Sequence, residues 1–288
     1  MSPALRTALL TALTLCFFAA NSILTRVALR DGDMDGLAFS VIRVAAGALM
    51  LVLLLSRRAG GSRALAGDWP SALALVVYAA AFSVAYRSIP SGTGALILFG
   101  TVQVTMIGSG LVLGERPPWR EWLGVLVSVS GLLVFLLPGL QRPPLAGSLL
   151  MLAAGIGWAA YSLRGRGNRD PLAATAGNFV RALPLALLPW LLFGGLALNP
   201  RGVLCAVASG ALASGLGYAL WYTVLPALTA LRASLVQLAT PMLVTVFGVL
   251  FLGEPLTLRL LSGSALILGG LATATLYRAR RLPMPRGR

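Results

Sequence analysis

Arg43 and Arg181 are the two ionisable side chains that sit well inside long apolar stretches of this 288-residue sequence. A guanidinium stays charged and presents a planar fork of N–H donors, so a buried one can hold a carboxylate in two parallel hydrogen bonds. Arg181 lies near the middle of its stretch and is read as a substrate contact, with a structural arginine bonded to backbone carbonyls as the alternative. Arg43 lies nearer one end, where a long side chain can snorkel to the interface, and its leading reading is structural or gating. Asn178 precedes Arg181 by three residues, so on a helix the two share a face.

Aromatic and amide side chains are the other groups able to form a site. Tyr78, Phe82 and Tyr86 recur at helical spacing, Trp158 and Tyr161 share a face, and Tyr218, Trp221 and Tyr222 cluster. Aromatics at helix ends commonly anchor to the membrane interface, which sets Tyr86 and Tyr222 aside. The expected substrate-binding set is therefore Trp158, Tyr78, Phe82, Tyr161 and Trp221, with Asn21, Gln103, Asn178, Gln237 and Arg181. The amides can each donate and accept hydrogen bonds; helix–helix contacts are their alternative use. An apolar, aromatic cavity with a few convergent polar groups suits an amphipathic small molecule such as an aromatic or large neutral amino acid. It could also hold an organic cation against ring faces.

Other chemistries are excluded by absence. The sequence has no histidine, which removes Ser-His and Cys-His nucleophile pairs and histidine-ligated zinc. Cys16 and Cys205 lie in apolar runs without disulfide or metal-ligand spacing. No catalytic residues, metal or cofactor are expected, and the chain does not read as an enzyme. All eight acidic residues fall at edges or links of the apolar stretches. Proton- and sodium-coupled carriers commonly use an embedded carboxylate or histidine, so any transport is expected to be weakly coupled or uncoupled.

The elements that must position these residues follow from composition. Hydrophobic residues make up 58% of the chain and charged ones 11%, and about a quarter is usual for a soluble domain. A transmembrane helix needs about 20 mostly apolar residues. Punctuation by Gly, Pro, Asn, Asp and Arg divides the chain into ten such segments, 5–29, 36–56, 69–88, 91–113, 118–138, 146–165, 171–194, 201–223, 228–252 and 257–278. The first reads as a retained span rather than a cleaved leader. The net charge of +15 comes entirely from arginine. These arginines lie between apolar runs rather than on a basic face, which argues for topology signals over nucleic-acid binding. Both termini in the cytoplasm puts fifteen arginines inside and six outside, the favoured bias.

The chain also repeats itself. Gly114-Glu115, Arg120, Gly124 and Gly131 recur 139 residues later as Gly253-Glu254, Arg259, Gly263 and Gly270. Ala19, Ala20, Ser22 and Arg26 recur at an offset of 140 as Ala159, Ala160, Ser162 and Arg166, and Arg43 matches Arg181 at 138. Two units result, 1–140 and 141–288, each with five spans. Five is odd, so the second unit enters the membrane inverted, the pattern of many secondary transporters with a site between the halves. The expected fold is thus an all-α integral membrane protein of ten transmembrane helices in two inverted five-helix repeats. The glycine of each Gly-Glu pair can end a helix. Glu115 and Glu254 are read as structural, each meeting the positive end of the helix that follows. A chain carrying its own two-fold repeat is expected to act as a monomer, with lipid and a small-molecule substrate as partners.

These features resemble the drug/metabolite transporter superfamily, and specifically its EamA-type members. The resemblance rests on the Gly-Glu pairs after spans four and nine, Arg43 in span two, Thr240-Pro241 before Phe247, and the Gly215–Tyr222 run. It covers nearly the whole chain. Trp158-Ala-Ala-Tyr161 is similar to the aromatic amino-acid exporter branch (YddG), which implies Trp158 as a cavity residue, although the first-half Gly-Glu pair departs from that branch. The resemblance implies a secondary transporter exporting small metabolites, amino acids foremost, by alternating access, and the lysine-free, arginine-rich usage points to a GC-rich genome and so to a bacterial inner membrane. Multidrug or organic-cation efflux, or a channel-like facilitator, is the alternative.

Overall fold

A computed structural model describes residues 3–58, 64–112, 119–136, 143–165, 168–224, 237 and 239–279. Over these all the regular structure is helical. The elements are α1 (Pro3–Leu29), α2 (Gly36–Ser56), α3 (Trp69–Ala85), α4 (Ser91–Val112), α5 (Trp119–Leu136), α6 (Leu145–Gly165), α7 (Pro171–Phe193), α8 (Pro200–Val224), α9 (Ala239–Leu252) and α10 (Leu258–Ala279). Five of them, α1, α2, α6, α7 and α8, are long and apolar enough to cross a membrane, and the others carry shorter apolar stretches.

Helix starts follow local chemistry. Asp35, Asp68, Asp170 and Asn199 each cap the helix that follows, accepting from its first-turn N–H groups. Proline stands at the first or second position of α3, α7 and α8, where its missing N–H is no loss. Gly253 follows α9 at φ +64°, a left-handed conformation that glycine adopts without strain.

The two five-helix units pack crosswise rather than side by side. α3 and α4 of the first unit lie on α6 of the second, and α8 and α9 of the second lie on α1 of the first. α2 meets α7, α4 meets α9, and α5 meets α10. Each pairing has its counterpart under exchange of the units, as two inverted repeats require. The surface is inside-out relative to a soluble protein. Large apolar side chains such as Leu126, Leu191 and Leu250 are exposed, whereas Asn21, Arg43, Gln103 and Asn178 are buried. Lipid tolerates the first group, and the interior must satisfy the second.

α8 departs from a regular helix. Residues Ser209–Leu216 form a π-helical stretch in which the Gly217 N–H bonds to the Leu212 carbonyl, five residues back. Small side chains let this stretch approach α2 closely. A Cβ on Gly210 would meet the Arg43 carbonyl oxygen and lie 2.9 Å from the Ala46 Cβ.

Candidate functional site

Between the two units lies an aromatic cluster. The Tyr78 ring stands 5.3 Å from Phe82 and 5.0 Å from Trp158, and Trp158 stands 5.1 Å from Tyr218. Phe18 closes the ring of contacts, edge-on to Trp158 at 6.2 Å and to Tyr218 at 6.0 Å. These side chains, with Asn21, Ser22, Leu98, Phe99 and Ala213, line a cavity of about 20 Å³, which is room for about one water molecule. The lining comes from α1, α3 and α4 of one unit and α6 and α8 of the other.

A polar chain runs through this cluster. Ser209 Oγ donates to Asn21 Oδ1 at 2.6 Å, and Asn21 Nδ2 donates to the Tyr78 hydroxyl at 3.0 Å. Arg43 Nη2 donates to the same hydroxyl at 3.0 Å, and Arg43 Nε donates to Ser214 Oγ at 3.2 Å. The π-helical stretch makes this possible. On an α-helix, Ser209 and Ser214 would project about 140° apart. The wider turn, with i→i+5 bonding, stacks residues five apart, so one serine serves Asn21 and the other serves Arg43.

The predicted residues divide into groups. Tyr78, Phe82, Trp158 and Asn21 line the cavity. Tyr161 and Trp221 pack behind it, 5.9 Å from Trp158 and 5.9 Å from Phe18 respectively. Gln103 is buried one turn beyond the lining residue Phe99 on α4. Gln237 is half-buried ahead of α9 and does not line the cavity. Glu115 lies outside the described residues.

Asn178 and Arg181 share a face, but that face meets the 64–68 segment instead of the cavity. Asn178 Oδ1 accepts from the Asp68 N–H at 2.9 Å, and Arg181 Nη1 donates to the Ala66 and Gly177 carbonyls at 2.7 and 3.0 Å. The Ala66 and Gly177 carbonyls hold the guanidinium there, away from the residues that line the cavity. Arg43 does the reverse. It is 2% exposed and does not snorkel, because α2 is covered by α3, α7 and α8. Tyr86 is also no interfacial anchor: it is fully buried, and its hydroxyl donates to the Ser91 carbonyl at 3.2 Å.

Glu254 meets a different helix from the one expected. Its carboxylate does not cap α10. It accepts from the Ser91 N–H at 2.8 Å and the Ser91 hydroxyl at 2.6 Å, at the start of α4 in the other unit, and lies 3.4 Å from Arg26 Nε. The charge still sits at a positive helix end, but the contact crosses between units. At the opposite end of the bundle, two further ion pairs cross. Arg58 holds Asp170 at 2.6 Å, and Arg164 holds Asp68 at 2.9 Å. Partial burial alone would raise the Asp68 pKa. The Ser71 amide and hydroxyl and the Arg164 guanidinium outweigh it and hold the carboxyl below its ordinary range. Contacts between the units thus stand at both ends of the bundle.

Sequence reasoning missed Phe18 and left Tyr218 out of the site. The signal was present. Phe18 and Trp158 are 140 residues apart, and so are Tyr78 and Tyr218. The offset that relates the two units therefore pairs the walls of the cavity.

Comparison with known proteins agrees with this architecture. The EamA-like transporter family is matched twice, by residues 5–137 and 145–276. Protein PA1977 of Pseudomonas aeruginosa is 51% identical over 271 residues, 94% of each chain. The threonine/homoserine exporter RhtA of Escherichia coli K12 is 28% identical over 205 residues, 68% of this chain and 67% of that one. A solved crystal structure with 23% sequence identity superposes at a TM-score of 0.70, covering 96% of this chain and 99% of that chain.

Proposed function

The chain belongs to the EamA-like transporter family, and from that premise we propose that it exports amino acids, aromatic or large neutral ones, by alternating access. The observation that carries this reading is the small aromatic cavity at the junction of the two units. A ligand drawn from this class has an apolar body to set among Phe18, Trp158 and Tyr218, and polar groups to set against Asn21 and the Tyr78 hydroxyl. The cavity in its present state is too small for such a ligand, so admission requires the units to separate at one mouth. The ion pairs at 58–170 and 68–164, and the Glu254–Ser91–Arg26 contact at the other end, are the contacts that must open in turn. The relative RhtA is named for export of threonine and homoserine, which supports an amino-acid substrate.

The arginine bias places both termini in the cytoplasm of a bacterial inner membrane, so that the Asp68–Asp170 end faces the cytoplasm. The repeats divide at residues 140 and 141, a single chain forms the pathway, and the Trp158–Tyr161 similarity to aromatic amino-acid exporters forms part of the same proposal.

The test is uptake by the purified chain in liposomes of labelled phenylalanine, with threonine and methyl viologen alongside. Saturable amino-acid uptake with trans-stimulation, abolished in Trp158→Ala, is the expected result. Flux of the cation alone would move the chain to organic-cation efflux, and ohmic current would mark a channel.

A further inference from the structure

Arg43 is the one charged side chain among the described residues that is buried. A buried charge is costly unless paired. None of the four ion pairs among the described residues involves it. Its charge is balanced only by polar neighbours and ring faces. Nε reaches Ser214, Nη2 reaches Tyr78, and Cζ lies 5.0 Å from the Tyr78 ring centroid and 5.1 Å from that of Phe82. Among the described residues Nη1 has no hydrogen-bond partner. A guanidinium carries five N–H donors; two are engaged here, which leaves three, and a bidentate carboxylate takes two.

Tyr78 and Phe82 are themselves walls of the cavity, so this uncompensated cation stands against the site. Among the described residues no carboxylate lines the cavity. We infer that the central site recognises a carboxylate, and that Arg43, with the Tyr78 hydroxyl, is the group that binds it. This rests on the reading of the central cavity as the transport site. Two consequences follow. A ligand with a carboxylate and an apolar body neutralises Arg43 while its body packs among the aromatic rings. A ligand bearing only positive charge meets a like charge, and two of the ring faces that would otherwise attract it are already occupied by Arg43.

The test compares three ligands with the same ring on the purified full-length protein in nanodiscs, by calorimetric titration. Phenylalanine carries both charges, 3-phenylpropionate only the carboxylate, and phenylalaninamide only the amine. The two carboxylates should bind, with the amide weaker by about tenfold or more, the factor that one lost charge-assisted hydrogen bond supplies. Arg43→Gln should lose that preference by weakening the acids. Arg43→Lys should recover part of it, because the charge returns without the bidentate fork. Should Arg43→Gln not fold, the wild-type comparison decides by itself. Amide binding equal to the acids in the wild type, or acid affinity unchanged in Arg43→Gln, overturns the inference. Binding of 3-phenylpropionate without phenylalanine would remove the amino-acid reading and keep the carboxylate site. Transport of phenylalanine with equal affinity for its amide would do the opposite, and silence for all three overturns both.

Discussion

Glu254→Gln removes a charge from the Gly-Glu pair while keeping an acceptor and nearly the same shape. The wild-type carboxylate accepts from both the N–H and the hydroxyl of Ser91 and lies beside Arg26, and the two charged side chains are only 14% and 17% exposed. Deleting a hydrogen bond to a charged group costs about 1.5–3 kcal/mol. Glutamine retains one acceptor oxygen, so its cost should fall near the lower figure, about 2 kcal/mol including the weakened helix cap. Either change leaves Arg26 without its counter-charge; alanine in addition removes the acceptor for the Ser91 N–H and hydroxyl, so its cost should approach that of breaking a mostly buried pair, about 3–5 kcal/mol. Thermal unfolding in detergent of wild type, Glu254→Gln, Arg26→Met and the double variant closes a cycle. The Arg26–Glu254 coupling should be about 1 kcal/mol or more, as for residues sharing one network. A coupling below about 0.5 kcal/mol, the additive limit for independent sites, would refute the reasoning. It would return Glu254 to the start of α10, where Arg26 has no part.

Glycines offer a matched pair of tests. Gly210→Ala forces a methyl against the Arg43 carbonyl and Ala46 and should cost about 1–3 kcal/mol by overpacking, with loss of transport. Gly108→Ala meets nothing within 4 Å and should be neutral or stabilising by up to about 1 kcal/mol, read in the same melts. At the Asp68–Asp170 end, Arg58→Gln with Arg164→Gln should raise accessibility of a cysteine placed in the cavity to a cytoplasmic-side thiol reagent, and unchanged labelling would show that these pairs do not hold that mouth shut. Acid should act there in one direction only: the lowered Asp68 pKa keeps its contact with Arg164 intact at neutral pH, and the contact fades as pH falls through that lowered value. Phenylalanine flux in liposomes should ignore an imposed proton gradient, and acceleration by the gradient would overturn uncoupled transport.

Element order was legible because the punctuation that ends helices is local. Caps, prolines and glycines act within a few residues, so the segments emerge within a few positions of their described bounds, except that the start of the ninth, at 228, lies outside the described residues. What lay beyond reach was tertiary. Glu254 stands just ahead of α10 in sequence, and only the crosswise packing brings Ser91 to it. The π-helical stretch has no periodic signature; its run of small residues reads equally as packing surface. The burial of Arg43 was missed because depth along the helix was weighed and helix face was not. Phe39, Arg43, Gly47, Leu51 and Leu55 recur every four residues, and all are buried. That stripe marks the side of α2 turned to the interior, and an arginine within it cannot reach the interface.

The same comparison explains why a symmetric scaffold holds an asymmetric site. Inversion of the repeat supplies matched aromatic walls, Phe18 opposite Trp158 and Tyr78 opposite Tyr218, so either mouth can open onto similar surfaces. Arg43 and Arg181 are the related positions in α2 and α7, yet only Arg43 reaches the centre. Arg181 is drawn to the Ala66 and Gly177 carbonyls. One central cation rather than two suits a ligand with one carboxylate and gives that ligand a fixed orientation between otherwise similar walls. Two central cations would repel one another across a closed cavity and would call for a doubly charged ligand. On the proposed reading, holding Arg181 at the Ala66 and Gly177 carbonyls leaves one central cation for a single carboxylate, and the near-symmetric walls present similar surfaces to that ligand on either side.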